Sequence, residues 1–479
     1  MRLRLVFHTI GKILLLLAFI MFIPLQVAIF NRGTDVFAFG RSIALTLLVG
    51  ALLSLIKPEG EFRRREGFAV VGLGWILLTA CGALPYYLSG TTPTYTDAFF
   101  ETMSGFTTTG ATILPTIESV ARGILLWRSL THWLGGMGII VLSLAVFSFL
   151  RQGASLFQAE VPGPFPDKIV PRLKKTAATL WLIYIAFTLA EVIALSWAGM
   201  SLYESVIHTF GTMATGGFSS RNLSVESFHS VLIEGIIITF MFLAGINFSL
   251  YYRALKKKSL KPLITNDETR VYTGIILLAT LLITISLVTK MDLPLGESLR
   301  RAGFQVVSII TTTGFSSDNF DTWPVFARGI LFTLMFFGGC TGSTGGAIKI
   351  ARIVVLVKYA RRQVQRAINP RLIIQTKLDS APLPDEVIHE ISAFFFMYIA
   401  LFTFGALFLM ATGEELVTSL TAAASTIGNI GPGFVGVGPL KNYSGLHIAA
   451  KWVLSFLMLA GRLEILPIFA LFSPRFWRK

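Results

Sequence analysis

The chain is poor in the residues from which soluble active sites are built. Of its 479 residues only two are cysteine, Cys81 and Cys340, and both stand inside apolar runs. Two thiols so placed exclude a disulfide framework and a thiolate metal site. The six histidines, at 8, 132, 208, 229, 389 and 447, are scattered, and no two share metal-ligand spacing. No Ser/His/Asp set, metalloprotease motif or pair of catalytic carboxylates stands out, so nothing argues for an enzyme. Charge is scarce as well: 14% of residues carry it, against about a quarter in a soluble domain. What is abundant is apolar. Hydrophobic residues make up 53% of the chain, with 40 phenylalanines, 43 glycines and a mean hydropathy of +0.70. The fold class that follows is an all-α integral membrane protein.

The net charge of +15 does not mark a nucleic-acid binder, because its position is wrong for one. Segments 1–12, 57–67, 151–175, 253–270, 358–377 and 475–479 hold 27 of the 41 lysines and arginines. They alternate with apolar spans so that all fall on one side, which the positive-inside rule makes cytoplasmic. The opposite segments carry acids: Asp97, Glu101, Glu204, Glu297, Glu414 and Glu415. Met1-Arg2-Leu3-Arg4 and the run after it lack a small-residue cleavage site, and read as a retained first helix rather than a signal peptide.

A span needs roughly 20 apolar residues. Two spans, near 11–31 and 36–56, open the chain within 1–60. Four units follow, at 61–160, 161–262, 263–378 and 379–479. Each has a first helix (near 68–90, 176–200, 271–290 and 387–411) and a short pore helix (95–106, 202–213, 296–310 and 414–425). A second helix closes each unit (122–150, 230–255, 326–358 and 446–472). The expected total is ten spans and four half-spans, with both termini cytoplasmic. Each pore helix ends in a threonine-containing phrase closed by glycine: Thr108-Thr109-Gly110, Ala214-Thr215-Gly216, Thr312-Thr313-Gly314 and Thr426-Ile427-Gly428. These glycines are 106, 98 and 114 residues apart, too far for a solenoid repeat. A second landmark lies downstream in every unit, at Gly135-Gly136, Ala244-Gly245, Gly338-Gly339 and Ala460-Gly461, where small residues let helices approach closely.

Four glycine-pivoted turns on one axis are what a cation filter of backbone carbonyls requires. The candidate filter is Thr108, Thr109, Gly110 and Ala111; Ala214, Thr215, Gly216 and Gly217; Thr312, Thr313, Gly314 and Phe315; Thr426, Ile427, Gly428 and Asn429. The alternative is that these small residues serve only helix packing. The pore helices point their partially negative C-termini at the axis, which favours a cation. In the third unit Gly338 is followed by Gly339, Cys340, Thr341, Gly342, Ser343, Thr344, Gly345 and Gly346, a string too rich in glycine for good helix. It is placed to gate the pore; the other reading is a kinked, closely packed helix. The equivalent sequence in the neighbouring units reads as continuous helix. The string lacks the Gly-Lys-Ser/Thr of a phosphate loop, so no nucleotide site is visible. Arg462 follows Ala460-Gly461 where the other units have Met137, Ile246 and Cys340. An arginine at membrane depth is functional by default, here a barrier under the filter, or else a partner for Glu464 or a carbonyl. His132 and His208 read as packed core histidines, and Glu191 and Glu234 receive no role.

The four phrases, the interruption in the third unit and Leu459-Ala460-Gly461-Arg462-Leu463-Glu464 together resemble the Trk/Ktr/HKT superfamily of cation transporters. The extra helix pair, the length and Ser425-Thr426-Ile427-Gly428-Asn429-Ile430-Gly431-Pro432-Gly433 point to its bacterial TrkH branch. That resemblance implies K⁺ as the transported ion, a homodimer with one pore per subunit, and a bacterial inner-membrane location. It implies a cytosolic TrkA-type nucleotide-binding ring as partner, and a gate made by the third-unit loop with Arg462. Plant relatives that favour sodium carry serine at the first filter position, so Gly110 argues for potassium. A Na⁺- or H⁺-coupled symporter is the alternative within transport, though alternating-access folds show two repeated halves rather than four units. A polytopic membrane enzyme is the alternative outside it.

Overall fold

The computed structural model describes residues 1–59, 63–150, 169–371, 374–379 and 381–477. The boundaries expected near residues 60 and 160 lie outside them. Among the described residues six helices are long and apolar enough to cross a membrane. Two are the opening pair, Leu3–Phe30 (interrupted at Met21) and Val36–Ser54, which pack along each other. The other four are the first helices of the units, Arg65–Leu88, Thr176–Trp197, Asp267–Met291 and Asp385–Ala411. Their exposed faces carry Leu16, Phe19, Phe37, Leu182, Ile193, Leu277, Phe396 and Leu407. Large apolar side chains left outside a packed helix bundle are what a lipid environment accommodates.

The pore helices form where the phrases require them, at Tyr95–Phe106, Leu202–Met213, Leu295–Ile310 and Leu416–Gly428. Thr94 and Ser201 cap the first two by accepting from Asp97 N and Glu204 N, satisfying one orphan donor each. All four are almost wholly buried over their last two turns, so apolar neighbours rather than lipid surround the phrases.

The second helices differ from the expectation. That of the first unit, Arg122–Leu150, is continuous. That of the second stops at Ala244, bends by 90° and resumes as Phe248–Lys257. In the third, Val325–Leu334 and Ile350–Ile368 are separated by the Gly/Ser/Thr string. In the fourth, Ile448–Arg462 ends before Leu466–Phe472. Units two and four are therefore broken as well, at Gly245–Asn247 and at Leu463–Ile465. The causes are local: Asn247 caps a new helix by accepting from Ser249 N at 2.9 Å, and Glu464 and Ile465 sit at φ 59° and 60°, where no helix continues. Two paired strands of two residues each, Lys377–Leu378 and Ala381–Pro382, complete the described structure on the face where the first helices of units three and four begin.

Candidate functional site

Every pore helix ends in the same turn. The N–H groups of Thr108, Thr215, Thr312 and Asn429 each donate three residues back, to Gly105, Thr212, Ile309 and Thr426. The N–H groups of Thr109, Gly216, Thr313 and Ile430 each donate five residues back, to Ser104, Gly211, Ser308 and Ser425. Positive φ then falls at paired positions: Thr108 and Gly110 (51° and 80°), Thr215 and Gly217 (52° and 75°), Thr312 and Gly314 (61° and 79°), Asn429 and Gly431 (54° and 107°). The equivalent segments are thus Thr107–Gly110, Ala214–Gly217, Thr311–Gly314 and Gly428–Gly431.

This register corrects the one read from the phrases. The counterpart of Gly110 in the second unit is Gly217, not Gly216. In the fourth it is Gly431, not Gly428, because Thr426 and Ile427 still belong to the pore helix and Thr426 Oγ1 bonds to Ala422 O at 2.7 Å. Ile430 and Gly431 were missed. The available signal was Asn429, a residue that tolerates the left-handed region, two places before a glycine as Thr108 precedes Gly110.

The four segments meet in a ring. A β-carbon on Gly110 would overlap the carbonyl oxygen of Gly216, one on Gly217 that of Thr313, and one on Gly314 that of Ile430. One on Gly431 would lie 2.8 Å from the carbonyl oxygen of Thr109, which closes the circle. A single cavity of about 230 Å³ is lined by all four of these glycines. Threonine hydroxyls brace the turns from behind: Thr107 bonds Thr109 and Thr311 bonds Thr313, each Oγ–Oγ at 2.8 Å. Asn429 Nδ2 donates to Thr109 Oγ1 and to Met458 O, both at 2.9 Å. Ala111 and Phe315 follow their glycines, and Phe315 O accepts from Ser308 Oγ at 2.6 Å.

Several acids of the pore helices are held by cations. Glu101 Oε1 meets Arg128 Nε at 2.6 Å, both side chains buried, and Asp97 Oδ1 meets Lys451 Nζ at 2.8 Å. Glu204 pairs with Arg221 at 2.8 Å, and Glu297 pairs with Arg301. Asp321 accepts from Val435 N at 3.0 Å; burial raises its carboxyl above the ordinary value, and that backbone bond opposes the rise. The sequence did not reveal Arg128 or Lys451. His132 stacks on Phe218 with ring centroids 4.0 Å apart, and its ring fills the space beside Gly216. His208 bonds Glu204 O at 2.8 Å and Ser219 Oγ at 2.9 Å. Both are packed core histidines.

Beyond the ring of glycines the Gly/Ser/Thr string is a folded, largely buried loop. Gly346 N donates to Thr312 Oγ1 at 2.7 Å, Cys340 N to Gly245 O at 2.8 Å, and Phe248 N to Gly342 O at 3.1 Å. A β-carbon on Gly339 would press on Gly245, and one on Gly345 on Thr311 O. Ser343 Oγ and Thr344 Oγ1 bond within the loop and to Ala244 O, and Lys349 Nζ bonds Gly345 O. Arg462 donates through Nη1 to Thr344 O at 2.7 Å and through Nη2 to Gly135 O at 3.4 Å. It joins the third-unit loop to the first unit. Glu464 does not pair with it, but with Arg352 at 2.6 Å. Gly135 lies against Phe106 O and Gly461 against Ile427 O, so Arg462 stands where the first unit has Gly136 rather than Met137.

Residues 36–479 match the TrkH family, described as a cation transport protein. The chain is 38% identical to the Trk system potassium uptake protein TrkH of Escherichia coli K12, with 100% of both chains covered. It is 34% identical to TrkG of the same organism over 99% of both. The crystal structure of the potassium transporter TrkH from Vibrio parahaemolyticus is similar with a TM-score of 0.91 at 33% identity, covering 100% of both chains. The chain, with its four pore-helix units and its extra helix pair, belongs to the TrkH family of cation transport proteins.

Proposed function

We propose that this protein takes up potassium across the bacterial inner membrane through a channel-like pore. One observation carries the reading: the carbonyls of Thr109, Gly216, Thr313 and Ile430 each stand beside the glycine of a neighbouring unit around a closed ring. Such a ring replaces the hydration shell of a cation, and four half-helix dipoles directed at it favour positive charge. The potassium named for the relatives supports K⁺ as the substrate. The pore helices enter from the outer face, and the basic face and both termini are cytoplasmic, as the lysine and arginine bias requires.

The third-unit loop and Arg462 act as the gate. A guanidinium tied to Thr344 O holds the loop under the filter and adds a charge that a cation must pass. Control comes from a cytosolic TrkA-type ring docked on the basic face of a homodimer, with the nucleotide bound by that partner. Transport, not catalysis, is the activity. The test is flux into liposomes with K⁺, Rb⁺, Na⁺ and Li⁺, with and without a proton gradient. K⁺ and Rb⁺ should pass well above Na⁺ and Li⁺ and independently of the gradient, and Arg462→Ala should raise the flux. Flux that requires a Na⁺ or H⁺ gradient would instead make the protein a symporter.

A further inference from the structure

The second residue of the third unit's first helix, Glu268, is a buried carboxylate to which filter and gate give no task. Its Oε1 accepts three hydrogen bonds: from Thr341 N at 2.6 Å, Thr341 Oγ1 at 3.1 Å and Ala351 N at 2.9 Å. Thr341 lies in the Gly/Ser/Thr loop, and Ala351 in the first turn of the helix that follows it. One oxygen atom therefore ties the loop to the helix leaving it, and satisfies an N–H that a helix start leaves orphaned. Carboxylate hydrogen bonds of this kind are about twice as strong as neutral ones.

The residues just before Glu268 are held from the basic face. The Asp379 carboxylate accepts from Asn266 Nδ2 and from Asp267 N, both at 2.8 Å. Lys358 Nζ bonds Asp267 Oδ2 at 3.3 Å and Lys377 O at 2.9 Å. Asp379 lies between the two short strands, Lys377–Leu378 and Ala381–Pro382. Asn266 also caps the helix, accepting from Thr269 N at 2.9 Å. Three consecutive residues thus have the hairpin on one side and the loop on the other, with a capped helix start between them as a stiff pivot.

We propose that Glu268 is the latch of the gating loop, and that the Asn266–Glu268 segment transmits displacement of the paired strands Lys377–Leu378 and Ala381–Pro382 to it. The proposal rests on reading the loop as the gate, and the experiment separates the two. Cys340, buried beside Thr341, reports loop release as thiol reactivity; Cys81→Ser removes the other thiol. The full chain in liposomes is assayed for K⁺ flux and for the rate of maleimide labelling. Glu268→Ala should raise both on the order of tenfold, because it leaves three donors without their acceptor. Glu268→Asp, which keeps the charge but is one methylene shorter, should raise labelling in the same direction. Glu268→Gln keeps an acceptor oxygen of the same reach but exchanges charge-assisted bonds for weaker neutral ones, so it should raise labelling less than Glu268→Ala. Asp379→Ala should raise labelling less than Glu268→Ala. Arg462→Ala with higher flux beside Glu268→Ala and Glu268→Asp at parent rates would overturn the latch. Asp379→Ala at the parent labelling rate would overturn the transmission. Arg462→Ala without effect on either readout would overturn the gate itself.

Discussion

At the turn closing each pore helix two residues have positive φ, and they are not equal. The second is glycine in all four units, where a side chain would meet both a forbidden backbone angle and a neighbouring carbonyl. The first is threonine three times and asparagine once, although a non-glycine residue there costs about 1–2 kcal/mol. Bonds from the surroundings hold it, such as Gly346 N to Thr312 Oγ1 and Asn429 Nδ2 to Met458 O. The distinction gives a prediction that tests the register. Gly431→Ala puts a β-carbon at φ 107° against Gly110 and should abolish the preference for K⁺ over Na⁺. Gly428→Ala meets Ile430 Cδ1 at 2.9 Å and Met335 O at 3.0 Å without a positive φ, so it should lower flux and disturb the preference less than Gly431→Ala. Gly110→Ser should behave like Gly431→Ala. Reversal potentials with K⁺ opposite Na⁺ decide it: selectivity lost at residue 428 and kept at 431 would restore the register of the bare phrases.

The elements show where one-dimensional reading ends. Four pore helices were legible to within two residues at their starts, because Thr94, Ser201, Pro294 and Glu415 mark where they begin and a phrase closes each. The break in the third unit was legible too, since nine residues of glycine, serine, threonine and cysteine cannot propagate a helix. The breaks in units two and four were not. Ala244-Gly245-Ile246-Asn247 and Leu463-Glu464-Ile465 are short and set in apolar sequence, and their local caps and backbone angles are reinforced by bonds to a neighbouring unit. Cys340 N on Gly245 O needs the third unit beside the second. The fourth filter segment was displaced for a similar reason: Ile430 carries no threonine to recognise, and its role comes from its carbonyl. Asn247 tests the second break. It caps Phe248–Lys257, so Asn247→Ala should cost about 1 kcal/mol of stability. It also packs beside Gly342 of the loop, so flux should change together with the melting temperature of the purified protein. A melting temperature lowered with flux unaltered would make the break a purely structural bend.

Across the whole molecule the ring of glycines is repeated by a ring of polar contacts on the pore-helix face. Arg128 of the first unit pairs with Glu101 and donates to Ser219 O of the second at 2.8 Å. Glu234 of the second pairs with Arg300 of the third at 2.6 Å. Asp321 of the third accepts from Val435 N of the fourth, and Lys451 of the fourth pairs with Asp97 of the first. Each neighbouring pair of units is joined by at least one such contact, so the ring of carbonyls is braced by contacts outside it. A filter that distinguishes ions by cavity size would need such an outer frame. The Lys451–Asp97 link is the sharpest test, because it joins the chain's last unit to its first and both side chains are buried. Lys451→Met leaves a buried carboxylate without its cation, a loss of about 3–5 kcal/mol. It should lower the melting temperature and let Na⁺ through. Lys451→Met with Asp97→Asn removes the stranded charge and should recover most of the stability, yet not the frame. Selectivity should therefore remain impaired in the double variant after the melting temperature has returned. Recovery of both together would show that the pair stabilises the fold without setting the filter.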